Sequence, residues 1–324
     1  MTQLSESSAL ALLQKSLSGT YKASRRGGIR LGIGDDCAVL QASASQDVWT
    51  IDACHEGTHF LWEWMSPRDV AHKSFHAALS DIPAMGAVPR AALCQLTLSS
   101  RVDAAWLEEF AHAQAEISRQ TQTPLVGGNI CFGPQVQVAL TILGSLDEDA
   151  LTRSGAHVGD EIWIIGSLGE ARAGLLLLQQ TEKRVTSFSS AEEKCLLSFR
   201  RPRALLYEGV GLIGRATSAM DVSDGLTRDL ARLAKESQVR MVLHASLLEK
   251  GLSVELREVA MQMGQRALSL ALIGGEDYAL LATGKKEERP DFARVIGQVE
   301  KGRGAYIQEK GECRELVGGF EHSS

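Results

Sequence analysis

The sequence lacks several features that would place it at once, and each absence excludes something. Its six cysteines (Cys37, Cys54, Cys94, Cys131, Cys195 and Cys313) are scattered, with no Cys-x-x-Cys pair. That argues against a zinc site and for a reducing cytoplasm. No stretch reaches 18 apolar residues, so no membrane-spanning helix is expected. The opening MTQLSESSALALLQKSL is not laid out as a signal peptide. It reads as a short amphipathic helix, with Leu4, Leu10, Leu12, Leu13 and Leu17 near helical spacing. There is no basic run and the net charge is −6, which counts against nucleic acid or an anionic membrane as the main partner. Aromatics are only 5% of residues, and no Gly-x-x-x-x-Gly-Lys-Ser/Thr stretch is present, so this is not a P-loop kinase.

What is present suits a core-forming enzyme. The 324 residues are 44% hydrophobic and 23% charged, with 31 glycines. That length suggests two domains. The pattern predicts an α/β chain: a strand at Val48–Ile51 ending at Asp52, a helix from Pro67 to Met85 with Ser66 as N-cap, a strand from Ala91 to Leu98, and a helix from Asp103 to Thr121. Leu125-Val126 leads into a Gly127-Gly128 loop, and Val136 to Leu143 returns as a strand. The polar region from Ser145 to Asp160 reads as the boundary, dividing the chain into 1–147 and 148–324. Beyond it come a strand at Glu161–Ile165, helices from Ala171, Arg200 and Gly225, and a loop from Thr181 to Ser190. Gly166-Ser167-Leu168-Gly169-Glu170 opens a helix, as either a phosphate-binding turn or a plain strand–turn–helix joint.

Acidic motifs beside the apolar segments are the most informative feature: Gly34-Asp35-Asp36, Asp52, Ser80-Asp81, Asp221, Ser223-Asp224-Gly225 and Gly275-Glu276-Asp277. Charge is rarely buried without a partner. Several such carboxylates converging would form a cage of hard oxygen ligands, which suits Mg²⁺ shared with substrate phosphates. Each motif has a plainer reading: a solvated turn for Asp36 and Glu276, a loop cap for Asp52, an N-cap for Asp224. Asp81 lies inside an apolar helix, where Asp is a poor choice. Arg153 reads as either a phosphate clamp or an ion-pair partner. His55 and His59 are four apart, but Gly57 breaks the helical geometry a zinc pair would need. Phe320 alone reads as a tail contact.

Taken in order, GIGDDCAVL, IDACHEGTHF, AHKSFHAALSDIPAMGAVP, the Gly127-Gly128 loop, LTRSGAHVGDEIWI, MDVSDGLTRDLARLA and GGEDYAL resemble the thiamine-monophosphate kinases of the aminoimidazole-ribonucleotide-synthetase-like superfamily. The resemblance implies a two-domain α/β (α+β) fold, with an N-terminal sheet forming a dimer barrel and a C-terminal α/β domain. It implies ATP-dependent phosphorylation of thiamine monophosphate with several Mg²⁺ ions, in a cytoplasmic homodimer. Carried over by motif, Asp36, Asp52, Asp81, Asn129, Asp221 and Asp224 would hold metal, with Asp81 and Asp224 central to catalysis. Gly128, Arg153 and Ser223 would touch ATP, and His59, Glu276 and Phe320 the thiamine phosphate. Two departures stand out. Asn129 replaces a family Asp and keeps an oxygen without the full charge, so one metal is expected to bind more weakly. Ile51 replaces a family Thr before Asp52. The rivals are a superfamily enzyme with another acceptor and a binding paralogue with weakened catalysis.

Overall fold

The computed structural model describes residues 5–17, 19–20, 28–33, 37–180 and 187–318. The chain divides into two compact units, residues 1–82 with 87–147, and residues 83–86 with 148–324.

The first unit contains α1 (Glu6–Leu17), β1 (Ile29–Leu31), β2 (Val39–Leu40), β3 (Gln46–His55), α2 (Pro67–Ala84), β4 (Val88–Leu98), α3 (Ala104–Thr121), β5 (Leu125–Phe132) and β6 (Gln137–Leu146). The caps follow local rules. Ser66 and Asp69 exchange bonds at the start of α2, and the Asp103 side chain accepts from Trp106 N at the start of α3, each satisfying an otherwise orphaned helix N–H. β3, β6, β4 and β5 form a four-stranded sheet in that order. Its inner face buries Leu140, Ile142, Ala92 and Leu96. Ile82 of α2 lies against Gly144 of β6, and α2 and α3 bury Phe75, Leu79, Leu107, Phe110 and Ile117. The other face leaves Trp49, Ile51 and Leu93 at 61%, 69% and 39% exposed.

Two expected loops turn out to be strand. Asp52 lies inside β3, because residues as far as His55 stay paired to β6. Gly127-Gly128-Asn129 lies inside β5, which runs parallel to β4. Gly128 is required there by packing, since a Cβ at this position would meet the Cys94 carbonyl oxygen at 1.9 Å.

The second unit contains β7 (Glu161–Ile165), α4 (Glu170–Gln180), α5 (Ser190–Arg200), α6 (Leu206–Val210), β8 (Ala216–Val222), α7 (Leu226–Glu236), β9 (Arg240–His244), α8 (Ala245–Gly251), α9 (Val254–Gln262), α10 (Ala267–Ile273), β10 (Ala279–Gly284), β11 (Arg294–Glu300), β12 (Gly304–Glu309) and β13 (Glu312–Glu315). The single helix expected from Arg200 is instead α5 ending at Arg200 and the short α6. Pro202, which lacks an N–H and disfavours helix in the residue before it, separates them. The sheet order is β13-β12-β9-β11-β7-β10-β8, with β9 and β12 parallel. Trp163, Ile165, Leu212, Ala219, Leu280 and Ala282 form a core cluster with Ala84 and Leu151. The ends of β7 and β8 and the start of β10 meet in register: Leu280 pairs with both Ile165 and Asp221.

Gly128→Ala must move a backbone, whereas a Cβ at Gly127 would meet only the Leu93 side chain, at 3.0 Å. We expect Gly128→Ala to cost about 3 kcal/mol, the upper end for overpacking, and Gly127→Ala distinctly less, read from denaturant midpoints. Equal midpoints for the two variants would show that the strands approach less closely than described.

Candidate functional site

In the first unit the site grows from β3 and α2. Alternate strand residues share a face, so Thr50, Asp52 and Cys54 point the same way and Ile51 points the other. The Thr50 hydroxyl donates to Asp81 Oδ2 at 2.6 Å, so the mid-helix Asp81 faces β3. Lys73, earlier on α2, is only 1% exposed. Burial pulls its amine down to about 7, partly offset by Cys54, and burial drives the Cys54 thiol up to about 12. His59 Nδ1 accepts the His55 N–H at 3.1 Å.

Asn129 stands apart from this group. Strand register sets one row across the sheet, Asp52–Leu140–Cys94–Gly128. Asp52 and Gly128 therefore lie at opposite edges, three strand spacings or about 14 Å apart. Asn129, paired with Gln95, is one residue beyond that row. Within one protomer it does not join Asp52.

In the second unit Asp221 is buried near the end of β8, and Ser223-Asp224 forms the turn into α7. Asp224 is 2.8 Å from Arg232 and 3.8 Å from Arg228, both on α7. Behind it, Asp229 is fully buried and accepts the Asp224 N–H at 3.1 Å. Burial, with the nearby Asp224 charge, raises its carboxyl to about 7. The neighbouring segment is locked to this turn: Glu276 N donates to Ser223 O at 2.8 Å and Tyr278 N to Val222 O at 2.9 Å. Glu276 and Tyr278 both adopt positive φ, 67° and 48°. Non-glycine residues rarely do so, and such strain concentrates at functional sites. Between them, the Asp277 carboxylate accepts the Gly169 N–H at 2.8 Å at the start of α4, and burial holds its carboxyl well above the usual range. Arg153 is exposed, in a segment where Thr152 O accepts the Ala219 N–H of β8.

Asp36 and Phe320 lie outside the described residues. Among the described residues, no three His, Cys, Asp or Glu side chains gather as a metal cluster, and no helix is long and apolar enough to cross a membrane. Asp52, Asp81, Asp221, Ser223 and Asp224 each offer oxygen, which fits a hard cation such as Mg²⁺. Sequence reasoning missed Lys73, Asp229 and Arg232. Lys73 shares the inward face of α2 with Ser80 and Asp81 at heptad spacing, a signal that was available. Arg228 and Arg232 follow Asp224 at four and eight residues, the spacing of one helix face.

Family models match both parts of the chain: the AIR synthase related protein N-terminal domain over residues 34–146 and its C-terminal domain over 157–310. The chain is similar to a thiamine-monophosphate kinase of Aquifex aeolicus (strain VF5), at 32% identity covering 86% of this chain and 89% of that one. It is 37% identical to a thiamine-monophosphate kinase of Escherichia coli (strain K12), covering 84% and 81%. A solved structure described as AaThiL complexed with AMPPCP and TMP superposes with a TM-score of 0.81 at 29% identity, covering 98% and 97%.

Asp277→Ala should orphan the Gly169 N–H and lower stability by about 1–3 kcal/mol. Asp277→Asn keeps an oxygen there and should cost less. Because the native pKa is raised, the unfolded chain loses its proton first, so this group's contribution favours folding at low pH. Stability should fall as pH rises through the ordinary carboxyl range near 3.8 and level off once the native group titrates. Unfolding measured against pH should show that slope in wild type and a flatter one in Asp277→Asn. Identical slopes would mean that Asp277 is charged in the native state.

Proposed function

The chain belongs to the AIR synthase related proteins and, within them, to the thiamine-monophosphate kinase family, and we propose that its acidic turns serve transfer of the ATP γ-phosphoryl group to thiamine monophosphate with Mg²⁺. The observation that carries this reading is the Glu276 N to Ser223 O bond. It ties the residue proposed for thiamine phosphate to the residue proposed for ATP.

A phosphate oxygen of thiamine monophosphate attacks the γ-phosphorus, the bond to the β–γ bridging oxygen breaks, and ADP leaves with that electron pair. The acceptor is already an anionic phosphate at neutral pH, so no side chain need remove a proton. The protein's task is positioning and charge neutralisation. Mg²⁺, when bound, would screen repulsion between the two phosphate groups. Asp36, Asp52, Asp81 and Asn129 in the first unit, and Asp221 and Asp224 in the second, are the residues that would hold several such ions. Gly128, Arg153 and Ser223 would meet ATP, and His59, Glu276 and Phe320 the thiamine phosphate. The Thr50 hydroxyl orients Asp81, and the buried Asp229 orients the backbone of Asp224.

The partner is a second copy of the chain. The exposed Trp49, Ile51 and Leu93 lie on one sheet face, and large exposed apolar patches mark interaction surfaces. The sheet's edge strands, β3 and β5, carry Asp52 and Asn129. The six free cysteines suit a reducing cytoplasm.

Purified protein should make thiamine diphosphate from ATP and thiamine monophosphate only with a divalent ion. Asp81→Asn should cut turnover about 100-fold or more with an unchanged Tm. Binding of both substrates without product at any Mg²⁺ concentration would favour a binding protein instead. Sedimentation should give a dimer for wild type and a monomer for Trp49→Glu/Ile51→Glu. A monomeric wild type would remove the sheet face as an interface.

A further inference from the structure

Asp224 already has a cation. The Arg232 guanidinium lies 2.8 Å from its Oδ2, and the Arg228 Nε lies 3.8 Å away. The geometry is built rather than incidental. Arg232 follows Asp224 by eight residues along α7, and its Nη1 is also 3.4 Å from Asp229 Oδ1. Asp229 is fully buried and takes the Asp224 backbone N–H through its other oxygen. One buried carboxylate therefore fixes both partners, the Asp224 backbone and the Arg232 head. A carboxylate oxygen in a close charge-assisted bond is not free to bind a metal ion through the same lone pairs.

Resting on the kinase reading, we propose that Arg232 and a divalent ion compete for Asp224, so that Arg232 sets the metal concentration at which this turn fills and, once displaced, is free to face a phosphate. Arg232 is a positioning residue in this scheme. It holds Asp224 in place while metal is absent and yields it when metal arrives with the nucleotide. The pair is partly exposed, so its worth is modest. A several-fold shift in metal affinity is the effect to look for.

Mn²⁺ binding is measured by electron paramagnetic resonance with the non-hydrolysable analogue AMPPCP present and thiamine monophosphate absent. Arg232→Gln should tighten one ion class about two- to fivefold, the range expected for losing a partly exposed ion pair. Lys235→Gln, the same charge change on the last turn of α7, should shift it distinctly less. Superimposable titrations of wild type and Arg232→Gln overturn the proposal, as does an equal shift in Lys235→Gln, which would reduce the effect to net charge. Wild type gives a second measurement that needs no variant. The Arg232 side-chain ¹⁵N resonance should move as Mg²⁺ fills its sites, and a resonance that stays fixed through saturation also overturns the proposal. These readouts do not use turnover. An enzyme that makes no thiamine diphosphate would strike the kinase reading while the Arg232 result stood or fell separately.

Discussion

A carboxylate taken out of water must find a donor, and that constraint organises both units. Its cost unpaired is several kcal/mol, and four acids near these turns show how it is met. Asp81 takes the Thr50 hydroxyl. Asp224 takes Arg232. Asp229 takes the Asp224 N–H, and Asp277 takes the Gly169 N–H. Each bond ties a turn to the element beside it. These acids are the pins that hold the turns in place.

The same logic separates two kinds of acid. Asp229, fully buried, and Asp277, half-buried, are pins: both are raised in pKa and satisfied largely by backbone N–H groups. Their neighbours Asp224 and Glu276 are held at the surface by them, the first through its N–H, the second by its place in a segment locked to Ser223 O. Positive φ at Glu276 and Tyr278 is the conformational cost of turning that segment sharply enough. A positioned pair of acids beside β8 and β10 suits a reaction whose chemistry is mostly placement of charge.

In the first unit, register rather than proximity in sequence decides what meets. Strand order β3-β6-β4-β5 puts Asp52 and Gly128 in one row at opposite edges. The exposed face bearing Trp49 and Ile51 turns away from Thr50 and Asp81. Ile51 thus adds apolar surface on the face opposite Asp81.

Much of this was legible in the sequence because it is local. Caps at Ser66 and Asp103 depend on residues three apart, and apolar periodicity sufficed for α2, α3 and the core strands. The ordered acidic motifs identified the family, since residue types and their order survive without coordinates. Other features depended on contacts between distant segments. Asp277 looked like half of an acidic turn, because its donor, Gly169, lies 108 residues away. Asp52 and the Gly127-Gly128 pair looked like loop, because only cross-strand bonds to β6 and β4 make them strand. The distance of Asn129 from Asp52 is set by strand order, which no single segment encodes. Residue chemistry and short-range geometry are properties of the chain; burial, register and the partner of each charge arise only when distant segments pack.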